Sequence, residues 1–256
     1  MKTSLRPAVI ALVAVATQVP AADPNPKVAE LSQWVMTYYQ HPEPERFVGR
    51  VREMAQAGML HSNRPDTNVM FLGKVMEKNP AKIAAWLDAL ADLPASDITV
   101  LQRAAWYSQT AEGKGWLEAH GQAELVKARP PLLGDGPMAF EPYHLDMLWE
   151  WFFATGDAKP VRSIVSYFNL APSEPKAGSS ELPSPPEDKN NAVAMGNFRI
   201  ARPAVWSSIG LAIEHDRVFE ILQQIDTDPA LKPMQKMWVG QALKVAGEER
   251  AKRGRK

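Results

Sequence analysis

Helical periodicity of the apolar residues is the sequence feature that most restricts the fold of this chain. Apolar side chains recur three or four residues apart in successive segments, as at Leu145, Leu148, Trp149 and Phe152. No stretch of useful length alternates apolar and polar residues in the manner of a half-buried strand. The sequence therefore predicts an all-α fold of about ten helices. Short turns between the segments predict consecutive antiparallel αα-hairpins, arranged as a solenoid-like stack or as an irregular bundle.

Proline, glycine and capping residues predict where individual helices begin and end. Asn79-Pro80 is expected to start a helix, with the asparagine as N-cap and the proline in the first turn. Gly156-Asp157 separates two apolar segments and predicts the turn of a hairpin. The segment 112–128 is expected to form weaker helix, because its glycines, Gly113 among them, disfavour helical backbone.

The first 22 residues have the composition and order of a secretory signal peptide. Lys2 and Arg6 precede an apolar run of about 12 residues, which is shorter than the roughly 20 needed to span a bilayer. We expect cleavage after Ala21 or Ala22 and a mature protein in the periplasm or outside the cell. The alternative is an apolar first helix of a cytosolic protein.

The rest of the chain divides by composition. A segment rich in proline and serine predicts a mobile loop or linker, and the charged C-terminus predicts a frayed tail. No fixed repeat period is present. The predicted order is an N-terminal helical region at 23–170, the Pro/Ser-rich loop at 171–190, a C-terminal helical region packed on the first at 191–247, and the charged tail at 248–256.

Charge and cysteine content exclude several classes of function. The 29 basic and 29 acidic side chains balance, whereas a general nucleic-acid binder carries a basic excess. The absence of cysteine excludes disulfides, thiolate metal sites and thiol nucleophiles. No stretch after the leader is long and apolar enough to cross a membrane. The basic residues of the tail leave two interpretations, contact with anionic lipid or nucleic acid, or a solvated terminus.

The sequence contains no motif for nucleotide binding, zinc proteolysis or serine hydrolysis. None of the five histidines lies three or four residues from another, so no helix offers a histidine pair to a metal. Glu141-x-x-His144 has the form of half a di-iron motif, but no second Glu-x-x-His occurs, which favours a helix cap and a surface histidine. We therefore predict no metal, no cofactor and no catalytic residue.

The aromatic residues around 149–153 are candidates for a partner surface. Trp149 shares the apolar face of its helix, whereas Trp151 lies roughly 200° away from it around the helix. Trp151 is then either packed by a neighbouring helix or, with Tyr143, available to a partner. On this face assignment Trp149→Ala is expected to destabilise the protein more than Trp151→Ala.

Three segments resemble an uncharacterised family of bacterial helical proteins that are often exported. They are LDMLWEWFFATGDAKPVRSIVSYF at 145–168, NPAKIAAWLDALADLP at 79–94 and HPEPERFVGRV at 41–51. The resemblance extends over residues 27–246. It implies a helical fold, assigns no reaction, and supplies no catalytic or binding residue.

Two functional hypotheses are compatible with these observations. The first is a binding or scaffolding protein of the bacterial cell envelope, which predicts an exposed groove lined by aromatic and apolar side chains for a protein or peptide partner. The alternative is a small-ligand carrier or an enzyme with a dispersed site near Glu141, His144 and Asp146, which predicts polar groups converging in a closed pocket.

Overall fold

The protein is all-helical, as predicted. The computed structural model describes residues 25–60, 65–131, 143–176 and 181–254, and these residues contain twelve α-helices and no strand. None of the helices described has both the length and the apolar content to span a bilayer. The arrangement as stacked hairpins stays a prediction. The helices are α1 (Pro26–Thr37), α2 (Phe47–Gln56), α3 (Pro65–Glu77), α4 (Ile83–Ala89), α5 (Ala95–Ser108), α6 (Ala111–Ala119), α7 (Ala123–Val126), α8 (Tyr143–Thr155), α9 (Ala158–Ser166), α10 (Ala192–Glu214), α11 (Asp216–Asp226) and α12 (Pro233–Arg253).

The described chain forms two compact units, divided between Ile164 and Val165 near the end of α9. This boundary precedes the one predicted at residue 170. The difference arises because the 3₁₀ turn Tyr167–Leu170 contacts α10 and α12. Trp238 of α12 also donates its indole N–H to the carbonyl of Ser173 at 3.1 Å. The end of the predicted N-terminal region therefore belongs to the C-terminal unit.

Helix α3 is the centre of the N-terminal unit and makes its most extensive contacts with α5 and α8. Every residue from Asn68 to Met76 is buried, which is expected of a helix that is covered on all sides. Gly73 permits the close approach of α5, because a Cβ at this position would lie 2.8 Å from the carbonyl oxygen of Ala104. The residues that follow α3 depart from the prediction. Asn79 makes no side-chain N-cap bond and instead donates to the carbonyl of Val75 at 2.9 Å, closing the end of α3.

The C-terminal unit is built on α10, which contacts α11, α12 and the Tyr167–Leu170 turn. Its described loop residues, 171–176 and 181–190, contain no helix, as predicted, but they are held in place. Arg202 donates to the carbonyl of Pro183 at 2.9 Å, and the Ser184 backbone N–H donates to Ser173 Oγ at 3.1 Å. Pro183 is buried. These contacts connect the described part of the segment to α10, and the mobility of the segment stays a prediction.

The charged C-terminus is helical where the prediction had a frayed tail, because α12 continues through Arg253. Arg250 donates to the Ala212 carbonyl at 3.0 Å, pairs with Asp216, and lies over the ring of Phe219. Arg253 pairs with Glu214 at 2.6 Å. These two arginines hold the end of α12 against the junction of α10 and α11, so both positive charges are paired with acidic side chains of the same chain.

Candidate functional site

The polar residues predicted near the start of α8 are brought together only in part. Glu141 lies outside the described residues, as do the expected cleavage residues Ala21 and Ala22. His144 is buried, which corrects its expectation as a surface histidine. Asp146 is half-buried one helical turn before Glu150. Within the described ranges, no group of three or more metal-binding side chains occurs here or elsewhere.

Glu150 is the residue of α8 that the sequence analysis missed. It is only 7% exposed, and its Oε2 has no hydrogen-bond partner among the described residues. Burial, with a smaller contribution from the charge of Asp146, raises the pKa of the Glu150 carboxyl from 4.5 to about 8. The carboxyl is therefore mainly protonated at neutral pH. Ionisation of this carboxyl is therefore coupled to the stability of the fold. The signal in the sequence was a lone glutamate within the aromatic run WEWFF.

Trp151 is buried. Of its two predicted environments, packing by a neighbouring helix is therefore the correct one. Trp151 is 7% exposed and Trp149 is 4% exposed. Their burial therefore gives no reason for Trp149→Ala to destabilise the protein more than Trp151→Ala. The ring of Trp151 lies 4.2 Å from Lys74 Nζ and 5.3 Å from Lys159 Nζ. Lys74 also pairs with Glu77, and burial lowers the pKa of its ammonium group. Tyr143, the other residue predicted for a partner surface, is 36% exposed.

An apolar groove opens between α4, α5 and α6, all within the N-terminal unit. Its volume is about 210 Å³, and buried Leu87 and Leu101 are two of the side chains that line it. We call it the α4–α6 groove. The residues that line it are Leu87, Ala91, Ile98, Leu101, Gln102, Trp116 and His120.

Trp116 is the aromatic side chain of this groove, and two contacts fix its position. Its Nε1 donates to Asp88 Oδ1 of α4 at 2.9 Å. On α6 its ring stacks with that of His120, with the ring centroids 3.9 Å apart and the planes inclined by 16°. The Nδ1 of His120 lies 2.7 Å from the Trp116 carbonyl oxygen, and because that oxygen only accepts, Nδ1 carries a proton. These contacts therefore restrict the orientation of the indole.

The close approach of α5 and α6 depends on Gly113, which the sequence analysis treated as a weakness of the helix. A Cβ at this position would lie 2.7 Å from Ser108 Oγ and 2.9 Å from the Ala105 carbonyl oxygen. Thr110 caps the same helix, since its Oγ1 accepts from the Gly113 backbone N–H at 3.0 Å. Glycine is thus required for α6 to pack against α5 and bring Trp116 to the groove.

This arrangement is suited to holding an apolar group. Apolar side chains line a concavity, while Gln102 and His120 supply polar atoms. Neither Trp116 nor the groove was predicted from the sequence. The available signal was the spacing of Trp116 and His120 by four residues, which places both on one side of a helix.

Comparisons with protein-family models, with curated proteins and with solved structures gave no match to this chain.

Proposed function

We propose that this chain is an exported binding protein of the bacterial cell envelope and that the α4–α6 groove receives its partner. The observation that carries the proposal is an apolar concavity whose aromatic side chain, Trp116, is already fixed by Asp88 and His120. Preorganised side chains lose less conformational freedom on binding, which favours affinity. Export is proposed from the charge, apolar run and small residues of positions 1–22.

The size of the groove indicates the kind of partner. Its volume of about 210 Å³ is below the roughly 300–1,000 Å³ of sites that enclose drug-sized molecules. It is better matched to one large apolar side chain presented by a peptide or protein segment. Burying such a side chain contributes about 1.5–3 kcal/mol. Because a dissociation constant of 1 mM corresponds to about 4 kcal/mol, short peptides should bind weakly and longer partners should add contacts outside the groove.

The test is a titration followed by NMR of the tryptophan indole N–H groups. Short capped peptides differ only in a central leucine, phenylalanine, alanine or lysine, and Trp116→Phe assigns the Trp116 signal. The leucine and phenylalanine peptides are expected to shift that signal in a saturable manner, and the alanine and lysine peptides are not. Trp106, a half-buried indole of α5 that does not line the groove, is the internal control. Equal shifts at Trp116 and Trp106, or no shift with any peptide, would contradict the proposal.

A matched pair of substitutions separates groove binding from general effects. Ala91 lines the groove and is exposed, so Ala91→Asp places a charge there without removing a core side chain. Ala84 of α4 is also an exposed alanine but does not line the groove, and Ala84→Asp is the control. Ala91→Asp is expected to abolish the peptide-induced shift, and Ala84→Asp to preserve it. Loss of binding in both variants would remove the assignment to this groove.

Export is tested independently by identifying the N-terminal residue and the cell fraction of the protein in its host. Fractionation followed by N-terminal sequencing is expected to find a processed chain that begins at Ala22 or Asp23 outside the cytoplasm. A cytoplasmic chain that retains the first 22 residues would exclude export and leave the binding measurements unaffected.

A further inference from the structure

Helix α10 carries an apolar stripe that is separate from its fully buried residues. At 100° per residue the stripe covers about 80° of the helix circumference. It consists of Met195, Phe198, Arg202, Trp206, Ile209 and Ile213. The fully buried residues of α10 lie off this stripe and are Ala201, Ala204, Val205, Ser207, Ser208, Leu211 and Ala212. We call the first set the α10 stripe.

The α10 stripe is substantially open to solvent. Trp206 is 40% exposed, Arg202 is exposed, and the other four side chains are half-buried. From Met195 to Ile213 the stripe extends about 27 Å along the helix. A large aromatic side chain exposed among apolar neighbours is a typical feature of an interaction surface.

The stripe residues are spaced nearly the same way whether α10 is read from its N-terminus or from its C-terminus. Its midpoint is residue 204, with Met195 and Ile213 equally far from it, and Arg202 and Trp206 also equally far from it. A two-fold axis through this midpoint, perpendicular to the helix, therefore superimposes the stripe on that of an antiparallel second copy. In this pairing Met195 of each copy faces Ile213 of the other, and Arg202 faces Trp206.

Arg202 supplies the charge complementarity of this pairing. Its guanidinium donates to the carbonyl of Pro183 at 2.9 Å and lies 5.8 Å from the ring centroid of Phe198, so it is held beside the stripe near an aromatic neighbour. Guanidinium groups are attracted to the faces of tryptophan rings. A parallel pair would instead bring Arg202 against Arg202. In the antiparallel pair the two arginines are about 10 Å or more apart, because they are separated both along the helices and across the interface.

We propose that the partner of the α10 stripe is a second copy of this chain, bound antiparallel with Arg202 of each copy over Trp206 of the other. The contact is isologous and independent of the α4–α6 groove. A single helix pair buries less than the roughly 800 Å² per partner of a standard interface, so the dimer exchanges with monomer in a concentration-dependent equilibrium.

Sedimentation velocity of the protein expressed from the full chain tests this proposal over about 5–500 µM, a range that brackets micromolar dissociation constants. The sedimentation coefficient is expected to rise with concentration towards that of a dimer. Trp206→Lys is expected to weaken association at least tenfold. Val193 is 74% exposed on α10 but lies off the stripe, so Val193→Lys is the control and is expected to change association less than twofold. Thermal unfolding of both variants verifies that they fold.

A charge exchange tests the antiparallel register. Trp206→Arg places two arginines opposite each other and is expected to lose association. The double variant with Arg202→Trp restores the pair and is expected to recover most of the association. It also removes the Arg202 bond to the Pro183 carbonyl, so thermal unfolding verifies that this variant folds. Failure of the double variant to recover, equal losses in Trp206→Lys and Val193→Lys, or a monomer at every concentration would overturn the proposal. Cosedimentation of the monomer with phosphatidylglycerol vesicles, without self-association, would overturn it in favour of a lipid surface.

Discussion

Trp116 and Asp88 are joined by a 2.9 Å hydrogen bond from the indole Nε1 to the carboxylate Oδ1, which connects α6 to α4 at the α4–α6 groove. The two residues are 28 positions apart in the chain, and both reach into solvent. An exposed hydrogen bond of this kind adds little to folding, because water competes for both groups. Its main effect is to restrict the indole to one orientation in the groove.

Removal of the Asp88 carboxylate should therefore affect binding more than stability. We expect Asp88→Ala to lower the free energy of unfolding by only about 0.5–1.5 kcal/mol. The same variant should weaken the response of Trp116 to a phenylalanine peptide about three- to tenfold, a binding cost of about 0.7–1.4 kcal/mol. Asp88→Asn keeps an acceptor oxygen and should remain close to wild type. Unchanged peptide affinity in Asp88→Ala would show that this hydrogen bond does not position the indole.

Two glycines of α6 should respond in opposite directions to alanine. Gly113→Ala forces a Cβ to within 2.9 Å of the Ala105 carbonyl oxygen, so we expect a loss of about 1–3 kcal/mol in the free energy of unfolding. Gly115 is exposed with nothing near its Cβ position, and Gly115→Ala should gain about 0.5–1 kcal/mol from helix propensity. Chemical denaturation of the two variants checks both signs. A stabilised Gly113→Ala protein would mean that α6 can move away from α5 without cost.

Gly113 also shows why the sequence predicts the fold class better than the candidate site. Periodicity is a property of neighbouring residues, and it predicted a helix around Leu145 and Phe152 without knowledge of what covers them. The groove is formed by Leu87, Leu101 and Trp116, which come together only when three helices pack. Helix propensity weighs against glycine, whereas the contact between α5 and α6 requires it, and only the structure shows which effect decides.

The α8 helix illustrates the same limit for burial. Its sequence predicted one apolar face, but all residues from His144 to Ala154 except Asp146 are buried. A face assignment presumes that solvent covers the opposite side of the helix. Trp151 is instead covered by the lysines of α3 and α9, and Glu150 is buried despite its charge. Neither lysine is adjacent to Trp151 in sequence, so no local pattern indicated this packing.

Trp149 and Trp151 should therefore have similar effects on stability. Each indole is buried, so we expect Trp149→Ala and Trp151→Ala each to lower the free energy of unfolding by about 3–5 kcal/mol. Trp206→Ala serves as the control because its indole is 40% exposed, and it should cost about 1 kcal/mol or less. Denaturant titration of the three variants provides the comparison. A loss for Trp151→Ala as small as that for Trp206→Ala would instead support the prediction that α8 buries only one face.

Glu150 should make the protein less stable as the pH rises from about 4.5 to about 8. Burial raises the pKa of this carboxyl to about 8 in the folded protein, whereas the unfolded chain ionises near 4.5. Between these values the folded state holds a proton that the unfolded state has released, so deprotonation favours unfolding. With about 1.4 kcal/mol per pKa unit, the loss approaches about 5 kcal/mol at pH 8 and is absent below pH 4.

Glu150→Gln removes the ionisable group while preserving its shape, so it should flatten this pH dependence. We expect the variant to be more stable than wild type at pH 8 and equal or slightly less stable at pH 4, where the wild-type carboxyl is already neutral. Glu118→Gln, on the exposed side of α6, is the matched control and should leave the profile unchanged. The free energy of unfolding from urea titrations between pH 4 and pH 9 measures both effects. Parallel profiles for wild type and Glu150→Gln would show that the Glu150 carboxyl reaches water or a cationic partner when it ionises.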